Sequence, residues 1–173
     1  GGNMKKGFSK KTLIVIIVFA LTAVFLFNSD IYASNLEIPI QLKQCGCLEY
    51  VQNVKNLPKT NGAAGADTYA SWLKKKGYTV TFYTPKTNSP STLVGKLMVW
   101  KRGAKGSNSA NGHIAVVKAV SYDAKAKKWT FKFIGANWSE GSLQKDSICN
   151  NVRLTTKVYS NVDGLTFFTA KKN

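Results

Sequence analysis

The alternation of apolar and polar positions divides the chain into an apolar front, a short helical region and a long β-rich remainder. Residues 12–27 form an unbroken, mostly apolar run, preceded by Lys5, Lys6, Lys10 and Lys11 and followed by Asn28, Ser29 and Asp30. After a linker-like stretch over 34–43, the spacing of Leu48, Val51 and Val54 predicts a helix over 47–55, which Pro58 ends. In a second helix, Ala66, Tyr69, Ala70 and Leu73 stand at i, i+3, i+4 and i+7. Asp67 lies near its positive start, Lys74, Lys75 and Lys76 lie near its negative end, and Gly77 is its stop. From Tyr78 the period drops to two: Tyr78, Val80 and Phe82 alternate with Thr79 and Thr81, and a turn-rich segment over 85–91 follows. Further strands are expected over 96–101, 114–121, 128–134, 152–159 and 165–170, joined by loops rich in Gly, Asn, Ser and Lys. Helices at the front and strands behind them predict an α+β domain, its N-terminal helices packed on an antiparallel sheet.

A chain of 173 residues accommodates one domain and a leader. The basic and apolar front reads as an export signal over residues 1–33, followed by the linker 34–43 and a domain over 44–173. As a helix, the run 12–27 would reach roughly 24 Å, short of a ~30 Å hydrocarbon core, which favours cleavage over a stable span. Ala33 suits a cut, but Ile31 is a poor match to the small residue expected two positions earlier, so anchoring in the membrane by residues 12–27 stays open. In both cases the lysines stay inside and the domain is secreted or extracytoplasmic.

The formal net charge is +17, of which the leader contributes a small part, leaving about +14 on the domain. Lysines are spread along the chain, with clusters at 74–76 and 125–128, so a solvated surface accounts for many of them. The rest of the excess predicts attraction to polyanions such as anionic wall polymers. Nucleic acid is not an expected partner, since export removes the chain from it and no nucleic-acid motif is present.

The three cysteines, Cys45, Cys47 and Cys149, predict one disulfide and one free thiol in an oxidising compartment. Cys47 opens the first predicted helix, where the dipole favours a thiolate. His113, the only histidine, stands immediately after Gly112 at the head of the apolar run 114–117. Taken alone it is either a polar loop residue or a general base at the mouth of a strand.

Four segments sharpen this picture. Gly46-Cys47-Leu48-Glu49-Tyr50-Val51 resembles the nucleophile helix of CHAP domains, the cysteine, histidine-dependent amidohydrolases and peptidases. Gly95-Lys96-Leu97-Met98-Val99-Trp100 resembles the strand before the histidine loop, Gly112-His113-Ile114-Ala115-Val116-Val117 the histidine strand, and Asn137-Trp138 the pair that closes the site. The resemblance runs over 44–168 and implies a papain-like α+β fold that cleaves peptidoglycan as an N-acetylmuramoyl-L-alanine amidase or an endopeptidase. It makes Cys47 the nucleophile, because Tyr50 then occupies the aromatic position, and His113 the base, with Asn137 orienting the imidazole. Cys45 is then left to pair with Cys149. Gln41, or its competitor Gln44, would complete an oxyanion hole begun by the Cys47 N–H. No cofactor or metal is implied, and a monomer is expected. One departure stands out: where the family often has a Glu two residues before the Asn, this chain has Gly135. That gap leaves room for two other readings, a non-catalytic wall- or polyanion-binding module on a degenerate scaffold, and an exported antibacterial toxin with the same chemistry.

Overall fold

The computed structural model describes residues 46–104, 111–138, 142–143 and 152–173. The leader, the linker, Gln41, Gln44, Cys45 and Cys149 lie outside them.

Helix α1 spans Cys47–Val54, entered from Gly46 in extended backbone. The Tyr50 N–H closes the first turn on Gly46 O at 2.9 Å, and Glu49 sits in that turn, where its charge suits the helix dipole. Tyr50 and Val51 are buried, and Leu48 and Val54 pack partly buried beside them, as the apolar spacing predicted. Helix α2 covers Tyr69–Lys75 and begins about a turn later than its apolar pattern does, with Ala66 and Asp67 in the turn ahead of it. Gly77 ends it with φ +81°, a conformation that costs glycine little.

Strands β1 (Tyr78–Tyr83), β2 (Leu97–Trp100), β3 (His113–Asp123), β4 (Lys128–Gly135), β5 (Ser142–Leu143), β6 (Arg153–Tyr159) and β7 (Leu165–Lys172) form one sheet. Its order is β1-β7-β2-β3-β4-β6-β5, and every pairing is antiparallel. The expected α+β architecture is therefore the observed one. The last long strand, β7, is inserted between β1 and β2, so the sheet closes only when the chain is nearly complete.

Both faces of the sheet are apolar because side chains alternate along each strand and both faces are covered. Leu97, Val99, Ile114, Val116, Ile134 and Phe168 face α1 and α2, against Val51, Tyr69 and Leu73. Met98, Trp100, Ala115, Val117, Phe131, Phe133 and Phe167 form an aromatic layer on the opposite face, covered by Leu93 from a short 3-10 turn and by Trp138. β3 is buried on both faces from His113 to Val117. A register irregularity then falls between Val117 and Ala119, and beyond it burial alternates.

Candidate active site

Strand β3 carries the site because its first two residues look opposite ways. His113 pairs across the ladder with Trp100, so its imidazole joins the aromatic face, while Ile114 pairs with Val99 and faces the helices. The approach to His113 is sterically defined. Gly112 has φ +71°, and a Cβ on it would lie 2.5 Å from Trp100 O and 3.0 Å from Asp67 Cβ, so only glycine fits. The Asp67 N–H donates to Asn111 O at 3.1 Å, and Arg102 Nε reaches Asp67 Oδ2 at 3.5 Å, which ties the turn ahead of α2 to both ends of the histidine loop.

The imidazole is 5 % exposed and lies among rings. Its centroid is 4.2 Å from that of Trp138 and 5.4 Å from that of Trp100, whose indole N–H donates to Tyr159 Oη at 2.8 Å. Burial in this apolar setting disfavours the imidazolium and pushes the His113 pKa down to about 4. Its Nε2 is buried with no hydrogen-bond partner among the described residues.

Cys47 is the first residue of α1, half-buried and not in a disulfide. Burial pushes its thiol above the ordinary value, opposed by main-chain hydrogen bonds from Ile114, Leu48 and Cys47 itself. Desolvation outweighs the helix start. Burial thus favours the neutral forms of both the sulfur and the imidazole. The Ile114 amide has no side-chain signature, so reading the sequence missed it.

Cys47 lies near the histidine strand, since the main-chain amide of Ile114, the residue after His113, acts on the thiol. Asn137 is placed differently. It is exposed, with φ +58°, at a turn between buried Ala136 and Trp138, and the turn delivers the Trp138 ring onto His113. Gly135 lies on the aromatic face, where a Cβ would stand 3.1 Å from Ala115 Cβ and 3.3 Å from Ile114 O. A side chain here would crowd β3, which would have to give by a few tenths of an ångström.

Comparison with known proteins identifies the family. A family model described as the CHAP domain matches residues 39–137, more than half of the chain, and the chain belongs to that family. Among solved structures it is similar to a 2.15 Å crystal structure of an N-acetylmuramoyl-L-alanine amidase from Staphylococcus aureus, with 18 % identity and a TM-score of 0.47. That match covers 73 % of this chain and 30 % of the other, so the chain spans under a third of that protein's length. No curated protein matches the chain.

Proposed function

We propose that the chain is an exported hydrolase of amide bonds in bacterial cell-wall peptide, with Cys47 as nucleophile and His113 as base. The observation that supports this reading is that the Ile114 main-chain amide lies near enough to Cys47 to favour its thiolate, so the candidate nucleophile neighbours the strand that begins at His113. Membership of the CHAP family supplies the substrate class.

The neutral resting pair favours a concerted first step. Cys47 Sγ attacks the carbonyl carbon as its proton passes to His113, and the carbonyl electrons move onto oxygen near the main-chain amides at the start of α1. His113 then protonates the departing amine as the C–N bond breaks, and water hydrolyses the thioester to regenerate the thiol. The imidazole is uncharged at neutral pH and has a lone pair for that proton, but its burial lowers its basicity, so the step depends on substrate stabilising the imidazolium as it forms. Asn137 is the proposed orienting group, reaching His113 when substrate is bound, and Gln41 or Gln44 the second oxyanion donor. Cys45 and Cys149 form the proposed disulfide, the leader 1–33 directs export, and the domain acts as a monomer.

A second reading has an observation of its own. An unpartnered His113 Nε2, with Gly135 where the family often has a glutamate, is what a degenerate scaffold would leave, and such a domain would bind wall without cutting it. Purified peptidoglycan treated with the protein and with its Cys47→Ala variant separates the two. The hydrolase reading expects clearing and new amines from the parent alone; none by either returns the case to a binding module, and equal release by the variant removes Cys47 as the nucleophile.

A further inference from the structure

Residues Lys59, Thr60 and Asn61, in the loop after α1, stand between two open cavities. One, of about 670 Å³, is lined on its other side by Gly46, Leu48 and Glu49, the first turn of the helix that carries Cys47. The other, of about 490 Å³, has Lys59, Lys76 and Lys172 around it and the rings of Trp72 and Tyr78 in its wall. The three lysines come from separate elements: the loop after α1, the C-terminal cap of α2 and the last residue of β7. No acidic side chain lines this cavity, and none of the three is ion-paired among the described residues. Lys76 Nζ lies 5.6 Å from the Trp72 ring, which in turn stacks on buried Tyr69 at 5.9 Å, so the wall beneath this cation is held from the core.

Three ammonium groups around one concavity repel one another and concentrate anions, and a bound oxyanion converts that repulsion into charge-assisted hydrogen bonds. The neighbouring aromatic rings suit a ligand with an apolar body beside its charge. Because residues 59–61 border both cavities, an anion held by the lysines would belong to the same molecule that presents an amide at the start of α1.

We propose that the cavity of Lys59, Lys76 and Lys172 is a subsite for a free carboxylate of the wall peptide, which anchors the substrate while the amide is laid along residues 59–61 toward Cys47. This rests on the hydrolase reading for the identity of the substrate. It gives part of the chain's excess positive charge a specific place and ligand.

The test is cosedimentation of the full-length Cys47→Ala protein with peptidoglycan stripped of phosphate polymers, compared with the same material after its carboxylates are amidated with methylamine. Binding to the native wall is expected to be about tenfold tighter. A Lys59→Gln, Lys76→Gln, Lys172→Gln variant loses that preference, as does the milder Lys76→Gln variant in part. A variant with the same charge change at exposed Lys125, Lys127 and Lys128 keeps it. Equal weakening by the two triple variants would reduce the effect to diffuse charge and overturn the subsite. So would indifference to amidation, and so would indifference combined with competition by poly(glycerol phosphate), which would assign the lysines to phosphate instead. Digestion by the parent protein is scored separately, so loss of the hydrolase reading and loss of the carboxylate subsite are distinct results.

Discussion

Replacing Gly112 by alanine tests whether the approach to the histidine is as tightly specified as its surroundings imply. Two costs are expected. The first is conformational: φ +71° is a region that an L side chain enters at about 1 kcal/mol. The second is steric: the new Cβ would stand 2.5 Å from Trp100 O, roughly 0.8 Å inside an ordinary carbon–oxygen contact. That oxygen belongs to a ladder residue and cannot rotate away, so β2 and the histidine loop must part, at the ~2 kcal/mol typical of overpacking. Gly77 isolates the first cost, because it has φ +81° and nothing within 4 Å of its own Cβ position. Urea unfolding should therefore place Gly77→Ala about 1 kcal/mol below the parent and Gly112→Ala about 3 kcal/mol below it. Wall clearing should fall in Gly112→Ala beyond what its lost stability explains, because the displaced segment leads directly into His113. Equal stabilities for the two variants, within half a kcal/mol by order of magnitude, would refute the claim that contact with β2 fixes this segment.

Three further outcomes follow from burial at the site. The unfolded chain protonates His113 below about 6.5, while the folded site holds the proton off until about 4; stability is therefore complete above 6.5 and declines as pH falls through that window, by on the order of 3 kcal/mol. Denaturation at stepped pH should show this slope in the parent and lose it in His113→Asn. Trp138→Ala should open the imidazole to water and move its titration up toward the ordinary value, read directly from the ring protons of the single histidine; Trp138→Phe should leave it low, and an unmoved titration in the alanine variant would discount the aromatic cover. Iodoacetamide labelling of Cys47, followed by peptide mass, should be slow at mildly acidic pH and accelerate toward and beyond 9.0. A rate already at its plateau in mild acid would mean that a thiolate–imidazolium pair exists at rest.

What reading the sequence conveyed about this fold was local, and what it missed was spatial. The apolar period of 47–55 and the two-residue alternation from Tyr78 are short-range signals, and the helices and strands they predicted are present with small shifts at their ends. The insertion of β7 between β1 and β2 depends on pairing such as Phe82 with Phe168, across a separation that no local pattern records. The same division runs through the site. Cys47 and His113 were singled out as candidates through side-chain chemistry and their neighbours in sequence. The Ile114 amide was invisible because every residue but proline has one. The neutral resting forms of thiol and imidazole follow from desolvation, which depends on what surrounds a group in space. Gly135 was visible as a departure, but its reason, the closeness of β3 at Ala115 and Ile114, required the packed sheet.

Because consecutive residues of β3 face opposite sides of the sheet, the surroundings of His113 are a matter of counting. Slipping the strand by one position would trade the imidazole for an isoleucine among the tryptophans, an error that no rotamer could repair. The irregularity between Val117 and Ala119 lies beyond that frame. A change of length in the far hairpin would accordingly leave the pairing of Trp100 with His113 in place.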